Sequence, residues 1–294
     1  MTFVSIVIPY WGEVSLLQTA VDSVLAQSDE RWSLTVIDDC DPSPDAGLLM
    51  GGISDPRVRY IRNPVNLGIT ANFRKAVNVA DGPWVTIMGF DDRLLPNYVS
   101  TVLAAAGEHP DADIIQPGVE IVDGDGARVM PLVDRVKGVL APSAKQTSHI
   151  QGEDLVASLL RGNWLYWPSL AFRTETIRRY DFRDDLAVIQ DLALLVDIAF
   201  DSGVLVRTPA PAFVYRRHDS SASQLALYNG VRFSDERRYY HDARDQAREA
   251  GWKRAERAAR LRPMSRLHAL AELPRILRKG NRKAILAALA HIAG

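Results

Sequence analysis

The chain has little of the chemistry that marks secreted or membrane-spanning proteins. Cys40 is the only cysteine among 294 residues, which excludes an internal disulfide framework and favours a reducing compartment. No apolar run is long enough to cross a bilayer, and the first nine residues lack the basic segment of a secretory signal. With 47% hydrophobic and 24% charged residues, the composition is typical of globular proteins. We therefore expect a cytoplasmic protein.

Charge divides the chain into two parts. Residues 232–294 hold 16 Lys and Arg against 7 Asp and Glu, whereas residues 1–231 hold 19 against 29. We predict a main domain at 1–231 and a basic helical extension at 232–294, with breaks at Gly251, Pro263, Pro274 and Gly280. Leucines recur among the cations, so the extension either lies on an anionic membrane surface or packs on the main domain with a solvated basic face.

Apolar strands and amphipathic helices alternate in the first 112 residues. Continuous apolar runs predict buried strands at 3–8, 34–37 and 84–88, and the alternation at 57–62 predicts a half-exposed strand. Helical spacing follows the first, third and fourth of these strands. This order predicts an α/β fold with a mostly parallel central sheet flanked by helices.

The sequence after residue 112 has a weaker period. We predict strands at 113–117, 119–129, 204–207 and 212–216, and helices at 152–161 and 191–202. Residues 130–150 show no period and are predicted to form a loop.

Two acidic pairs follow buried strands. Asp38 and Asp39 end the strand at 34–37, and Asp91 and Asp92 follow the strand at 84–88. Ligands of open α/β sheets bind outside the carboxyl ends of the strands. Adjacent carboxylates repel each other unless a cation or hydrogen bonds offset the repulsion, and oxygen ligands suit Mg²⁺ or Mn²⁺. The pairs therefore predict an enzyme that handles a nucleotide–diphosphate compound.

Six short segments resemble family 2 glycosyltransferases in order and approximate spacing. They begin at Ser5, Val36, Asn66, Phe90, Gln190 and Tyr215. The resemblance covers about residues 3–224 and implies the GT-A fold and an inverting enzyme, which moves a sugar from a nucleotide-diphosphate sugar to an acceptor hydroxyl with a divalent cation. It assigns residues 1–112 to nucleotide-sugar binding and residues 113–231 to the acceptor and catalysis.

The resemblance also implies a set of donor-binding residues. Asp38 and Asp39 would accept hydrogen bonds from the base or ribose, although an Asp after a strand also caps turns. The set further contains Pro9, Tyr10, Glu13, Asn66, Gly68, Asn72, Asp91 and Arg216. The loop that begins at Asn66 enters a helix, whose free N–H groups suit phosphate; the alternative is an ordinary strand-to-helix loop. For Tyr10, packing in the core is the alternative to lining the nucleotide pocket.

A metal site is implied by Asp91 and Asp92, with His218 completing it. Gly89 stands where the family often has a leading Asp. The cation would neutralise the diphosphate as it leaves. Solvated surface acids are the alternative for the pair, and a structural role is the alternative for His218.

Asp191 is the candidate general base, because an inverting transfer needs a carboxylate to take the proton of the acceptor hydroxyl. Its place at a helix start also fits a cap, and Asp184 and Asp185 are alternatives. The family's preceding Glu is Gln190 here. Trp164, Tyr166 and Trp167 either stack on acceptor sugars or pack in the core.

Two other functions remain open from the sequence. A sugar nucleotidyltransferase would release pyrophosphate, but the Gly-rich phosphate loop such enzymes need is missing near the N-terminus. A non-catalytic sugar-nucleotide-binding scaffold would bind the donor without turnover. We expect the acceptor to be a saccharide or a lipid-linked sugar at the inner face of the cell membrane, in polysaccharide or glycolipid synthesis. Nucleic acid is not expected, since the tail has few aromatic residues.

Overall fold

A computed structural model describes residues 2–141, 146–186, 188–217 and 230–294. The strands in these ranges are β1 Val4–Tyr10, β2 Trp32–Asp38, β3 Val58–Arg62, β4 Trp84–Ile87, β5 Arg93–Leu94, β6 Ile114–Val122, β7 Ser148–Ile150, β8 Ala171–Arg173 and β9 Leu205–Arg216. The helices are α1 Val14–Leu25, α2 Asp45–Gly51, α3 Ile69–Val79, α4 Tyr98–Glu108, α5 Leu132–Leu140, α6 Gly152–Arg161, α7 Thr174–Ile177, α8 Gln190–Phe200, α9 Val231–Glu249, α10 Lys253–Leu261, α11 Pro263–Lys279 and α12 Arg282–Ala293.

The strands form one sheet in the order β3-β2-β1-β4-β8-β6-β9-β5, with β7 paired to β9. The first four positions are all parallel, and β6 also runs parallel to β9. Strands β5, β7 and β8 pair antiparallel with their neighbours. In the described residues four strand pairs are parallel and four antiparallel, but the parallel pairs contain most of the paired residues, which confirms the predicted α/β class with a mostly parallel sheet.

Both faces of the sheet are buried, which explains why its central strands are continuous apolar runs. Ile6 and Ile8 of β1 face the core that contains α1 and α4. Val7, between them, faces the opposite core, which contains α3 and α8. Because successive side chains of a strand alternate between faces, a strand covered on both sides is apolar at every position.

Register places the carboxyl ends of the first strands at one edge. Tyr10 at the end of β1 pairs with Asp38 at the end of β2, which pairs with Arg62 at the end of β3. Strand β4 continues along β1, where the Met88 amide donates to the Val7 carbonyl at 2.9 Å. The two acidic pairs therefore follow neighbouring parts of the same edge.

The second half differs from prediction in three places. The two strands predicted at 113–129 are one strand, β6, whose register shifts at Gly118, where an added Cβ would lie 2.8 Å from the Pro209 carbonyl oxygen. The two strands predicted at 204–216 are likewise one strand, β9, that runs through its prolines. The predicted loop at 130–150 is wrong, since it contains α5 and β7.

The basic extension is helical, as predicted, and its parts pack differently. Tyr239, Ala243 and Ala255 of α9 and α10 belong to the core of α6 and α8. Helices α11 and α12 instead form a small cluster of their own around Phe233. The predicted break at Pro274 is wrong, because α11 continues through this exposed residue. Within the described ranges no helix is long and apolar enough to cross a membrane.

Candidate active site

Asp38 lies at the end of β2, where its buried carboxylate accepts several hydrogen bonds. Its Oδ2 accepts hydrogen bonds from the Tyr60 hydroxyl and from Arg62 Nη1, both at 2.5 Å, and its Oδ1 accepts from the Asp41 amide at 2.8 Å. The side chain is 0% exposed. A carboxylate has about four acceptor positions, so protein donors already occupy most of them.

Asp39 holds the loop between β3 and α3. Its Oδ1 accepts from Asn63 Nδ2 and the Leu67 amide, both at 2.8 Å, and its Oδ2 accepts from the Gly68 amide at 2.9 Å. Both acidic residues after β2 therefore shape the walls of the site. A contact of either one with a donor base or ribose stays a prediction.

Three residues that sequence reasoning missed complete this wall. Asp41 accepts from the Gly12 amide at 2.9 Å and so ties the loop after β1 to the loop after β2. Asn63 donates to Asn72 Oδ1 at 2.8 Å and accepts from Lys75 Nζ at 2.5 Å. The spacing of Lys75, three residues after Asn72 on one helix, was the available signal.

The predicted phosphate loop has a defined geometry. Gly68 precedes α3 with φ of 79°, a left-handed conformation that favours glycine, and its amide is taken by Asp39. Asn72 is buried with its amide oxygen on Asn63, whereas Asn66 is exposed. The Gly68 N–H and the Asn72 oxygen are thus engaged within the loop, which leaves Asn66 and the first turn of α3 for a ligand.

Residues of the first loop divide between core and surface. Tyr10 is 1% exposed, donates to the Gly12 carbonyl at 2.5 Å and packs edge-on against Phe90. Burial, with Asp41 and Asp38 nearby, raises the pKa of Tyr10 to about 12. Pro9 lies in β1, in register with Ile37 of β2. Glu13 is exposed at the start of α1. Tyr10 therefore packs in the core and holds the loop through its hydrogen bond to Gly12, whereas Glu13 is exposed to solvent.

Asp91 and Asp92 converge above Gly89. A Cβ on Gly89 would lie 2.7 Å from Asp91 Oδ1 and 2.7 Å from Asp92 Oδ2, closer than any real side chain permits. Burial, followed by repulsion from Asp91, raises the pKa of Asp92 well above its ordinary value. The glycine that replaces the family's leading Asp thus provides the space into which the two carboxylates turn.

A cation fits this arrangement. Among the residues that the structure describes, no three His, Cys, Asp or Glu side chains come together as a metal site, and His218 lies outside the described residues. Mg²⁺ is commonly held by one or two carboxylates together with substrate phosphates and water. Two convergent carboxylates whose charges repel each other match that pattern.

Arg216 fixes the acidic turn, which is the segment that contains Asp91 and Asp92. Its main-chain amide donates to Asp92 Oδ1 at 2.9 Å, and its Nε donates to the Asp91 carbonyl at 3.0 Å. Its Nη1 donates to the Gly124 carbonyl at 2.6 Å. The structure therefore gives Arg216 a positioning contact with the metal-site candidates, while direct binding of diphosphate stays a prediction.

Arg217 turns to the opposite side and forms a two-pronged ion pair with Asp134, with both distances at 2.6 Å. The Tyr166 hydroxyl also donates to Asp134, at 2.8 Å. Asp134 is on α5, within the segment that was predicted to be a loop, so this ion pair was not foreseeable from the sequence pattern.

Asp191 lies in the first turn of α8. Its Oδ2 accepts from Asn163 Nδ2 at 3.3 Å, and burial raises the pKa of its carboxyl. Its neighbour Gln190 accepts a hydrogen bond from Thr70 of α3 at 3.1 Å. This bond joins the first turn of α8 to the first turn of α3, so the candidate base stands beside the candidate phosphate loop.

Asp184 and Asp185 are less suited to the role of base. Arg74 binds Asp184 at 2.7 Å, and Arg183 binds Asp185 at 2.7 Å. These bonds lower the pKa of both carboxyls, and a carboxylate with a lowered pKa is a weaker proton acceptor. Of the aromatic cluster, Trp164 and Trp167 are buried in the core, and Tyr166 is half-buried.

The model of glycosyl transferase family 2 matches residues 5–159, which is more than half of the chain. The chain belongs to this family. It is 25% identical over 224 residues to the succinoglycan biosynthesis protein ExoO of Rhizobium meliloti, a match that covers 76% of this chain and 63% of that protein. It is 34% identical over 102 residues to WcaA of Escherichia coli, a candidate colanic acid biosynthesis glycosyl transferase, covering 34% of this chain and 37% of that protein. The chain thus spans less than two thirds of these curated relatives.

Solved structures share the fold of this family 2 chain. Staphylococcus aureus TarS 1–349, in complex with UDP-GlcNAc, aligns with a TM-score of 0.72 and 14% identity over 99% of this chain and 88% of that chain. The mannosyltransferase PcManGT from Pyrobaculum calidifontis, in complex with GDP-Man and Mn²⁺, aligns with a TM-score of 0.61 and 13% identity over 98% of this chain and 86% of that chain. At this identity the likeness shows a common GT-A type fold.

Proposed function

We propose that the protein is an inverting, metal-dependent glycosyltransferase that moves a sugar from a nucleotide-diphosphate sugar to an acceptor hydroxyl. The convergence of Asp91 and Asp92 over Gly89 carries the proposal. Family membership supports the reaction class, and the solved structures bound to UDP-GlcNAc, or to GDP-Man and Mn²⁺, support the donor class and the cation.

Asp91 and Asp92 would hold the divalent cation, and His218 is proposed as a further ligand. When bound, the cation supplies positive charge that stabilises the departing diphosphate. The loop at 63–68, held by Asp39, orients the donor at the first turn of α3. The walls after β1 and β2 bind the nucleotide.

Asp191 would remove the proton of the acceptor hydroxyl as that oxygen attacks the anomeric carbon from the face opposite the diphosphate. A raised pKa favours this role, because a base with a pKa nearer to the working pH has more driving force to accept a proton. Asn163 holds the carboxylate in place through Oδ2. One displacement of this kind inverts the anomeric configuration.

The acceptor is proposed to be a saccharide or a lipid-linked sugar of a cell-surface polysaccharide or glycolipid. The names of the relatives, which refer to colanic acid and succinoglycan, support this class. Helices α11 and α12 expose Leu267, Leu270, Leu277, Leu286 and Leu289 among basic residues. This composition supports peripheral binding to an anionic membrane, where a lipid-linked acceptor would lie.

Product analysis tests the proposal. UDP-, GDP- and dTDP-sugars are incubated with the protein, Mn²⁺ or Mg²⁺ and a mixture of lipid-linked and free saccharides. We expect release of the nucleoside diphosphate and a glycoside of inverted anomeric configuration by NMR. In a parallel incubation with a sugar phosphate and a nucleoside triphosphate, release of pyrophosphate would instead identify a nucleotidyltransferase. Donor binding without any release would identify a scaffold.

A further inference from the structure

A cavity of about 190 Å³ lies beneath α5, beside the candidate active site. It is bounded by β6, β9, α5 and the segment that leads to Tyr166. The side chains that give it chemical character are Gln116, Asp134, Lys137, Trp164, Tyr166 and Arg207. Ligand pockets for drug-sized molecules are larger, at roughly 300–1,000 Å³, so this one suits a single small unit such as a monosaccharide.

Gln116 is the first sign that the cavity is a binding site. The residue is 2% exposed, and its Oε1 receives no hydrogen bond from any donor in the described part of the chain. A buried polar atom without a partner is unfavourable, and native proteins seldom keep one without a reason. A ligand hydroxyl that donates to Oε1 would remove the deficit.

The cavity is positively charged. Lys137 and Arg207 both line it, and Arg207 is paired in register with Gln116 across β6 and β9. The carboxylate that shares the lining, Asp134, is neutralised by its two-pronged pair with Arg217. Lys137 Nζ donates to the Leu165 carbonyl at 2.9 Å and lies 4.2 Å from the centre of the Tyr166 ring, which leaves further N–H groups for a ligand.

Burial and the neighbouring Arg217 lower the pKa of Lys137 to about 8. A bound anion would offset both causes, since it adds a negative charge next to the ammonium group. Aromatic faces are also at hand, because the Arg207 guanidinium lies 5.6 Å from the Trp164 ring and Tyr166 packs on Tyr215 at 5.3 Å.

We propose that this cavity binds an anionic sugar unit of the acceptor, with Lys137 and Arg207 facing its carboxylate or phosphate group and Gln116 accepting from a hydroxyl. The proposal rests on the glycosyltransferase function inferred above. The position supports it, because Asp134 in the lining is paired with Arg217, and Arg217 directly follows the residue that fixes the acidic turn. The anion selects the acceptor, and the neighbouring site transfers the sugar.

Saturation-transfer NMR with the full chain, without donor or metal, tests binding directly. The probes are methyl β-D-glucuronide, glucose 6-phosphate and the neutral methyl β-D-glucoside. We expect at least one anionic probe to bind about fivefold or more tightly than the glucoside. Preference for the glucuronide identifies a uronate unit, and preference for the phosphate identifies a phosphorylated unit. Equal binding of all three probes, or binding of none, overturns the proposal.

Two variants localise the effect. Lys137→Met should remove the preference for the anion, whereas Lys253→Met, at an exposed position of α10, should keep it. Gln116→Leu removes the unpartnered oxygen, so we expect at least unchanged thermal stability together with weaker probe binding. An unchanged anion preference in Lys137→Met, or unchanged probe binding in Gln116→Leu, would show that the probe binds elsewhere and overturn the proposal.

The donor gives an independent readout. Each cavity variant should retain the wild-type thermal shift with its nucleotide sugar and metal. Absence of any donor-induced thermal shift in the wild type would count against the glycosyltransferase function. A donor-induced shift in a wild-type protein that does not prefer the anionic probes would count against the cavity proposal alone.

Discussion

At residue 89 the missing side chain shapes the site. Asp91 and Asp92 turn into the space that a Cβ would occupy, so any other residue there must displace them. Burial, followed by repulsion from Asp91, raises the pKa of Asp92, and a bound cation would favour the charged form of both carboxylates. The departure from the family pattern at Gly89 therefore fits a two-carboxylate site and gives no reason to infer loss of function.

Asp191→Asn tests the base. We expect the transfer rate to fall by about 10²–10⁴-fold, the usual contribution of a positioned base, while the donor-induced thermal shift is unchanged. Burial raises the pKa of Asp191, so the wild-type rate should fall as the pH decreases through that raised pKa, because the protonated carboxyl cannot accept a proton. Glu in place of Asn should restore part of the rate.

The corresponding change at Asp184, which binds Arg74 at the surface, is the control and should leave the rate within about twofold. A wild-type rate in Asp191→Asn, or an equal loss in Asp184→Asn, would remove Asp191 from the role of base.

At the scale of elements, strands buried on both faces were predictable from the sequence and elements fixed by distant contacts were not. Strands β1, β2 and β4 appear at their predicted places because continuous burial leaves a continuous apolar run. Helix α5 has an exposed Val139 and an internal Gly138, and its Asp134 is paired with the remote Arg217, which follows β9. A contact with a remote residue leaves no hydrophobic periodicity in the local sequence, so the segment was predicted to be a loop.

The same distinction separates the parts of the site. The acidic pairs were visible as breaks at the ends of apolar strands. The network of Asp41, Asn63 and Lys75 was missed because it depends on which loops the sheet brings together. Gly118 and the prolines of β9 suggested strand ends, yet two long parallel strands tolerate them at a bulge.

Helix α8 contains Asp197, whose ionised form is unfavourable in the folded protein at neutral pH. Burial raises the pKa of Asp197 from 3.8 to about 6, so its protonated form is the one that the fold favours. The stabilisation is full below about pH 3.8 and is lost as the pH rises through about 6. We expect Asp197→Asn to raise the free energy of unfolding by about 1–2 kcal/mol at pH 8, after allowance for partial exposure.

Urea unfolding at pH 4 and pH 8 checks this expectation. The effect should nearly vanish at pH 4, where the wild-type carboxyl is protonated, and Asp125→Asn on an exposed turn should change stability little at either pH. Equal effects of Asp197→Asn at both pH values would show that its charge is not the cause.

For the whole molecule, the charge boundary near residue 231 is crossed by the hydrophobic core. Helices α9 and α10 share the core of α6 and α8, and Trp252 of the segment between them stacks on Phe200 at 5.0 Å. Truncation after residue 231 would therefore expose part of the main core and would not test membrane binding cleanly. Helices α11 and α12, with a separate small cluster, are the part whose surface can be altered with less effect on the fold.

We expect the triple change Leu270→Ser, Leu277→Ser and Leu286→Ser to reduce sedimentation with anionic vesicles about tenfold or more, because exposed apolar side chains and basic residues bind such surfaces together. Vesicles of phosphatidylglycerol and phosphatidylcholine are compared with phosphatidylcholine alone. Leu48→Ser, an exposed leucine outside the extension, serves as the control. Unchanged binding of the triple variant would exclude these leucines from a membrane role.

The central claim is that Asp91 and Asp92, converging over Gly89, bind a divalent cation and the donor diphosphate. The most direct measurement is a thermal-shift titration with UDP-, GDP- and dTDP-sugars, with and without Mn²⁺, for wild type, Asp92→Asn, Gly89→Ala and Gly107→Ala. A ligand that binds only the folded state raises its apparent stability. We predict a Mn²⁺-dependent shift with one nucleotide class in wild type and in Gly107→Ala, where an added Cβ meets no atom within 4 Å. The shift should be lost in Asp92→Asn and Gly89→Ala; a shift of equal size without Mn²⁺, or in those two variants, would contradict the claim.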